Sequence, residues 1–316
     1  SDEPVLEIVG TVEESIPPER SDAERIGRYD LCFELASGGM ATVYLARVAG
    51  PVGFEKLVAL KRIHRHLAKE TRYIEMFLDE ARIASRITHP NVCSVFDFGE
   101  AEGEYFIAME YLVGEPLSRL CLKLVRNEAE RHNPLRPLLT ASIIAHVCEG
   151  LHAAHELRDA HGELLHVVHR DVSPRNLFVT YDGSVQVVDF GLASARHRLH
   201  QTVSGELKGT FAYMAPEQLT AQPIDRRVDV WALGVTLWET LALKRLVRRE
   251  TTAKSVHAVL YDKIVPPSKY RTNMPQELDD IVLKALQRDP AGDRHNPSLL
   301  SGGHRGQQRP VPGVRS

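Results

Sequence analysis

The chain has 316 residues, of which 43% are hydrophobic and 26% are charged, and its formal net charge is −3. This is the composition of an ordinary globular protein, long enough for one large domain or for two lobes with separate cores. The charge balance argues against a nucleic-acid partner, because nucleic-acid-binding proteins normally carry a strong basic surplus. Any phosphate-binding site must therefore be local.

Cysteine usage and hydropathy indicate a cytoplasmic location. The cysteines are widely spaced and form no C-x-x-C pair, so we expect reduced thiols at Cys32, Cys93, Cys121 and Cys148. No stretch approaches the roughly 20 apolar residues of a membrane span, and no signal peptide is recognisable. The sequence predicts no membrane span in this chain, and a sensor domain or anchor outside it stays open.

Residues 1–24 are rich in acidic side chains and lack an apolar period, which predicts a disordered acidic tail. We expect a solvated tail, with docking to a basic partner as the alternative. After it, β-branched and aromatic residues alternate with Gly and Pro, as in a sheet. The strand-like runs are residues 28–36, 42–49, 57–63, 93–98 and 104–111.

Apolar residues at helical spacing interrupt this pattern at 72–87 and dominate the sequence after Gly114. The fold class is therefore α+β, with a small β-rich lobe that has one main helix, followed by a larger helical lobe. Residues 110–114 form the connector, and a cleft between two such lobes is a common ligand site. Residues 297–316 are rich in Pro and Gly, which predicts a flexible tail.

Two segments carry the chemistry: VHRDVSPRN at 168–176 and, after a strand and a turn, DFG at 189–191. Phosphoryl transfer needs a carboxylate that orients the attacking hydroxyl and oxygen ligands that hold magnesium. Asp171 suits the first task, whereas Asn176 and Asp189 suit the second.

These segments resemble the catalytic loop and the D-F-G element of protein kinases. Lys61, in VALK at 58–61, and Glu80, in the following helix, match the lysine that contacts the α- and β-phosphates and its glutamate partner. GTFAYMAPE at 209–217 resembles the end of an activation segment, in which Thr210 would position the substrate and favours serine and threonine as acceptors. Asp229 resembles the aspartate that begins the central buried helix, and Arg294 the arginine that pairs with Glu217.

The resemblance covers roughly residues 28–294, and the chain is identified as similar to the catalytic domain of bacterial eukaryotic-like, or Hanks-type, serine/threonine kinases. It implies a kinase domain over 28–296, with an N-lobe at 28–109, a hinge at 110–114 and a C-lobe at 115–296. It also implies protein substrates, ATP, and Mg²⁺ or alternatively Mn²⁺. The implied nucleotide-binding residues are Leu35, Ala36, Ser37, Gly38, Gly39, Met40, Ala41, Val43, Ala59, Lys61, Met109, Glu110, Leu112 and Phe178.

The phosphate-covering loop departs from the family's G-x-G-x-x-G pattern, because Ala36 and Ala41 replace two glycines. Glycine lets the backbone approach phosphate without a Cβ and with a positive φ. Gly38 keeps the central position, so we expect a weaker or stiffer nucleotide clasp.

The catalytic loop has Ser173 where serine/threonine kinases usually carry a lysine that steadies the γ-phosphate. Arg175 occupies the position of an arginine in tyrosine kinases, and its guanidinium is the expected substitute. The same cation should disfavour basic residues just upstream of the target hydroxyl.

The family's last helix is expected to be missing, since Pro297 and a glycine-rich tail stand in its place. A regulatory partner that covers this end of the C-lobe is one alternative, irregular packing of the tail is another, and natural truncation of the chain is a third. Thr202 and Ser204 match the doublet that bacterial kinases of this type autophosphorylate, and Arg170 would pair with such a phosphate.

We interpret the chain as an active kinase with Asp171 as base, Lys61 and Glu80 aligning ATP, and Arg175 assisting at the γ-phosphate. A pseudokinase that binds nucleotide or acts as a scaffold is the main alternative, and a small-molecule phosphotransferase or a tyrosine kinase is less favoured. A metal site among the histidines at 152, 155, 161, 166 and 169 is also disfavoured, because no cysteine or carboxylate set completes it.

Overall fold

The computed structural model describes residues 24–190, 210–247 and 251–289. Its first part is a six-stranded antiparallel sheet in the order β1-β2-β3-β4-β6-β5. The strands are β1 (Arg25–Ile26), β2 (Tyr29–Ser37), β3 (Ala41–Ala49), β4 (Glu55–Ile63), β5 (Val95–Ala101) and β6 (Glu104–Glu110). The predicted β-rich lobe is thus confirmed.

One helix, α1 (Thr71–Ala84), covers one face of this sheet. Tyr73, Phe77 and Ala81 recur every four residues on its buried face, where they pack with Ile63 and Ile107 of the sheet. This i, i+4 spacing is what makes the helix amphipathic.

Helix α1 ends earlier than the predicted residue 87, because the chain turns at Ser85 and approaches Pro90, which disfavours helical backbone in the residue before it. Ile87 nevertheless is buried, although it packs in the core of the helical lobe rather than on α1. Its place in the helical pattern was therefore coincidental.

The second part of the described chain is mainly helical. Its helices are α2 (Leu117–Arg126), α3 (Glu128–Arg131), α4 (Arg136–His155), α5 (Pro216–Leu219), α6 (Arg227–Ala242), α7 (Thr252–Tyr261) and α8 (Gln276–Ala285). Short 3₁₀ turns occur at Pro51–Gly53, Leu67–Lys69, Thr210–Tyr213 and Pro267–Lys269.

Helix α6 forms the centre of this lobe, since every residue from Val228 to Ala242 is buried. A helix that is apolar all round must be enclosed by other elements. Arg136, at the start of α4, donates hydrogen bonds to the carbonyls of Thr240 (2.6 Å) and Leu241 (2.9 Å). These bonds satisfy carbonyls at the C-terminus of α6, which have no partner within the helix.

A small sheet lies between the two lobes and consists of β7 (Gly114–Pro116), β8 (Leu177–Thr180) and β9 (Val185–Val187). The segment before β5 reaches it, because Val92 pairs with Val187 and the Cys93 N–H donates to the Val187 carbonyl at 3.0 Å. The predicted strand from residue 93 therefore begins only at Val95.

Close contact between backbones fixes a glycine in α4. A Cβ on Gly150 would lie 2.5 Å from the carbonyl oxygen of Asn91. Because Asn91 also binds β9 through its side chain and its carbonyl, this contact sets the distance from α4 to the small sheet.

Several predictions concern residues outside the described ranges: the acidic tail up to residue 23, the flexible end at 297–316, the missing last helix and the partner of Glu217 at Arg294. Glu24, the last residue of the predicted tail, lies 2.5 Å from Nη1 of Arg62 in an ion pair. Among the helices that the structure describes, none has both the length and the apolar run needed to cross a bilayer.

Candidate active site

Lys61 lies at the centre of the cleft, where β4 places its side chain between two carboxylates. Its Nζ is 2.8 Å from Oε1 of Glu80 on α1 and 3.0 Å from Oδ1 of Asp189, which follows β9. The side chains of Lys61 and Glu80 are only 14% and 15% exposed. The contact therefore joins the sheet, the helix and the helical lobe at one point.

Burial and neighbouring charges shift the pKa values of all three groups in this cluster. Burial favours neutral Lys61, but the carboxylates of Asp189 and Glu80 outweigh it and raise the pKa of Lys61 above its usual value. Burial likewise opposes the charge on Asp189, yet the Lys61 ammonium lowers the pKa of that carboxyl. At Glu80 burial prevails over Lys61 and raises the pKa. Lys61 and Asp189 thus stay ionised near neutral pH.

Asp229 of α6 holds the segment that contains Asp171. Its Oδ2 accepts the N–H of His169 and its Oδ1 the N–H of Arg170, both at 2.8 Å. Nε2 of His155 on α4 donates to the same Oδ2 at 2.8 Å. His155, one of the histidines of the disfavoured metal cluster, therefore binds a buried carboxylate.

Asp171 and Asn176 are bound to each other. Nδ2 of Asn176 donates to the backbone carbonyl of Asp171 at 2.9 Å and to its Oδ2 at 3.2 Å. Both of these Asp171 oxygens accept hydrogen bonds, so it is the nitrogen of the Asn176 amide that must face them. The amide oxygen of Asn176 is consequently the end that remains for another ligand.

The β8–β9 hairpin brings the two predicted metal ligands together, since the N–H of Val188 donates to the carbonyl of Asn176 at 3.0 Å. Amide and carboxylate oxygens suit Mg²⁺, which usually takes one or two protein carboxylates and completes its shell with phosphates and water. Asn176 and Asp189 fit this description. No group of three or more His, Cys, Asp or Glu suited to a metal occurs in the described parts of the chain.

Phe190 and His169 pack under this site. Their ring centroids are 4.7 Å apart, and their exposed fractions are 2% and 0%. Nε2 of His169 lies 3.1 Å from the carbonyl oxygen of Val188. The aromatic pair thus fixes the backbone on both sides of Asp189.

One face of the sheet carries four of the predicted nucleotide-binding side chains. Val43 pairs with Lys61, and Ala59 pairs with Met109, so the four share a face because side chains alternate along strands. Ala41 is buried near them, whereas Leu35, Ala36 and Ser37 end β2. Glu110 ends β6, Leu112 follows it, and Phe178 lies in β8 across the cleft.

The loop at 37–41 does not use a glycine conformation at Gly38, whose φ is not positive. A Cβ there would also have ordinary room, 3.8 Å from the carbonyl oxygen of Ala41. The backbone at Gly38 therefore has a conformation that residues other than glycine also adopt. Gly38 is instead held by its own N–H, which donates to Ala41, and by Nε2 of His64, 2.7 Å from the Gly38 carbonyl oxygen.

The family described as the protein kinase domain matches residues 29–297 of the chain. The chain belongs to the protein kinase family. The fold prediction is thereby confirmed: a curled sheet forms the N-lobe of the kinase, and helices form its C-lobe.

Curated relatives include kinases named for different acceptors. Tyrosine-protein kinase MasK of Myxococcus xanthus is 44% identical over 264 residues, which make up 84% of this chain and 40% of that protein. Serine/threonine-protein kinase PrkC of Bacillus subtilis is 29% identical over 84% of this chain and 38% of its own length. Serine/threonine-protein kinase PknB of Mycolicibacterium smegmatis is 32% identical over 83% of this chain and 40% of its own length. The kinase chain thus spans about two fifths of these relatives.

Among solved structures, the kinase domain of Mycobacterium tuberculosis PknI superposes with a TM-score of 0.65 at 24% identity. The match covers 90% of this chain and 97% of that one. At this identity it supports the fold alone.

The kinase places Arg175 at the exposed edge of the catalytic loop and Ser173 inside it. Both line a cavity beside Asp171 and Asn176. Their roles at the γ-phosphate stay predictions. Thr202 and Ser204 lie outside the described residues, and Thr210 begins the 3₁₀ turn Thr210–Tyr213.

Two groups near the site escaped the sequence-based prediction. His64 follows Lys61 by three residues at the end of β4, but nothing in the sequence indicates that its ring reaches Gly38. Glu239 lies in the last turn of α6, and its partners Tyr213, Arg245 and Leu246 lie outside that helix. Only the contacts in the folded chain reveal these two roles.

Proposed function

We propose that this kinase transfers the γ-phosphoryl group of ATP to serine and threonine hydroxyls of proteins, with Mg²⁺ or Mn²⁺. The observation that carries the proposal is the contact of Lys61 with both Glu80 and Asp189. An aligned lysine and an ionised aspartate are the groups that orient the triphosphate and bind its metal in protein kinases. Bound at Asn176 and Asp189, the metal would neutralise charge on the phosphates.

Asp171 is the proposed base. Its carboxylate takes the proton of the substrate hydroxyl while that oxygen forms a bond to the γ-phosphorus. The bond from this phosphorus to the β–γ bridging oxygen breaks, and ADP leaves with the electron pair. The hydrogen bond from Asn176 orients the Asp171 carboxylate for this step.

Tyrosine is the second candidate acceptor. It is favoured by the name of the 44% identical relative and by Arg175, which stands where tyrosine kinases carry an arginine. Thr210 and the serine/threonine kinases among the relatives favour the first acceptor class. Analysis of phosphoamino acids in the product distinguishes the two.

We also propose that Thr202, Ser204 or both are autophosphorylated and that Arg170 binds the phosphate. An ordered activation loop would follow from such a charge pair. Full activity of a variant with alanine at both positions would contradict this switch.

A reducing, cytoplasmic setting remains part of the proposal, together with protein substrates and a regulatory partner at the end of the C-lobe. All four cysteines carry free thiols, which supports the first point. Fractionation of cells that produce the protein at its natural level tests the location.

The test of catalysis is phosphate incorporation from labelled ATP with Mg²⁺ by the chain and by Asp171→Asn. Asp280→Asn, the same change at an exposed position of α8, is the control. We expect Asp171→Asn to lower incorporation at least 10²-fold, and mass spectrometry to locate phosphate on serine or threonine.

A pseudokinase is the alternative, and Ala36, Ala41 and Ser173 are the residues that favour it. It predicts that the wild-type chain binds ATP but incorporates no phosphate on itself or on any protein. Equal incorporation by wild type and Asp171→Asn would contradict the assignment of the base.

A further inference from the structure

A cavity of about 320 Å³ adjoins the catalytic loop on the C-lobe side. Asp171 and Asn176 form one wall, Cys121 and Leu122 of α2 another, and residues 239–245 at the end of α6 a third. The volume falls within the range of small-ligand pockets. Because Asp171 borders it, a group bound there would lie next to the target hydroxyl, where the flanking residues of a protein substrate must pass.

Besides Asp171, four charged residues line the cavity, and three of them are cations. The cations are Arg175, Lys244 and Arg245, and the fourth residue is Glu239, an anion. Glu239 is already occupied: its Oε2 accepts from the hydroxyl of Tyr213 at 2.7 Å and from Nη1 of Arg245 at 2.8 Å. Its Oε1 accepts the N–H of Leu246 at 3.0 Å, and the side chain is only 7% exposed.

Glu239 is therefore a poor site for a substrate cation, since binding one would require displacement of Arg245. Arg245 itself is 49% exposed, and its hydrogen bonds to Tyr213 and Glu239 both use Nη1. Lys244 is exposed as well, with Nζ 4.3 Å from the centre of the Tyr270 ring. Both cations are therefore accessible to solvent, and both line the cavity.

We propose that this cavity is a specificity site for an acidic side chain of the protein substrate, within a few residues of the target hydroxyl. The proposal rests on the proposed kinase function in so far as the ligand is a substrate. Lys244 and Arg245 supply the attraction, and a guanidinium binds carboxylate with charge-assisted hydrogen bonds. A basic residue at the same place meets like charges, which act against binding.

Peptide binding tests the site without any need for catalysis. Fluorescent peptides carry alanine in place of the acceptor and a single Glu, Gln or Arg, moved through four positions on either side. Fluorescence anisotropy gives each Kd. At one or more positions we expect Glu to bind about tenfold more tightly than Gln, as one charge-assisted hydrogen bond allows, and Arg to bind more weakly.

Two variants of the chain connect this preference with the cavity. Lys244→Glu reverses one charge, whereas Arg245→Gln removes one and keeps N–H donors for Tyr213 and Glu239. Each should reduce the ratio of the Gln to the Glu Kd to less than about threefold. Lys263→Glu is the matched control, because this exposed lysine does not line the cavity, and it should leave the ratio unchanged.

Equal Kd values for Glu and Gln peptides at all positions would overturn the proposal, as would an unchanged ratio in Lys244→Glu, whose surface position makes misfolding a small risk. The two proposals fail separately. A chain that prefers acidic peptides but transfers no phosphate contradicts only the proposed function, and an active kinase without the preference contradicts only this site.

Discussion

At the scale of single residues, Asp229 orders the catalytic loop through one buried carboxylate. It is 0% exposed and accepts hydrogen bonds from His155, His169 and Arg170. Arg170 has a φ of 66°, in the left-handed region that costs a residue with a Cβ about 1 kcal/mol. The hydrogen bond from its N–H helps to hold this backbone, and Asp171 follows directly.

We therefore predict that Asp229→Asn loosens the loop, because an amide offers one acceptor oxygen where the carboxylate offers two. The free energy of unfolding should fall by about 3 kcal/mol, as when one partner of a buried charged network is removed. Urea denaturation measures it. Asp225→Asn is the control: Asp225 is exposed and binds Arg227, so its loss should cost less than about 1 kcal/mol. Equal stability of the two variants would show that the hydrogen bonds of Asp229 do not stabilise the catalytic loop.

At the scale of elements, the sequence predicted the longer strands and helices because their apolar periods extend over many residues. The small sheet was not predicted in full, since strands of three or four residues, such as Gly114–Pro116, are too short for a period. For the 37–41 loop, a weaker or stiffer nucleotide clasp was predicted from the missing glycines alone. Its restraint by His64 depends on a side chain that follows β4, and periodicity does not reveal this contact.

This restraint leads to a prediction for nucleotide binding. In His64→Ala the loop loses the hydrogen bond at the Gly38 carbonyl, so it should cover the phosphates less well. One such bond contributes about 0.5–1.5 kcal/mol, which corresponds to a rise in KM for ATP of roughly two- to tenfold. Steady-state kinetics measures it. His161→Ala is the control, because this exposed histidine lies in the other lobe, far along the chain from the 37–41 loop. A KM unaffected by His64→Ala would mean that the hydrogen bond between His64 and Gly38 does not contribute to ATP binding.

At the scale of the whole molecule, the order of the motifs was enough to predict two lobes and a cleft with Lys61, Glu80 and Asp189 in it. The positive charge of the surface that would face a protein substrate was predicted only from Arg175. The fuller account required Glu239 and Arg245, since their mutual neutralisation depends on how α6 and the turn after it pack against Tyr213. Sequence motifs identify the reacting groups, whereas the electrostatic field around these groups depends on tertiary contacts.

The last prediction concerns the connection between the lobes, which Lys61 makes by binding Asp189 across the cleft. A nucleotide with Mg²⁺ that bridges both lobes should raise the unfolding temperature. At a ligand concentration of 100 Kd the stabilisation is about 2.7 kcal/mol, enough for a shift of several degrees in a domain of this size. Calorimetry with ADP and Mg²⁺ measures it, and EDTA should reduce the shift. In Lys61→Met the shift should nearly vanish, whereas Lys69→Met, which removes an exposed lysine, should retain it. An undiminished shift in Lys61→Met would place the nucleotide elsewhere than at Lys61.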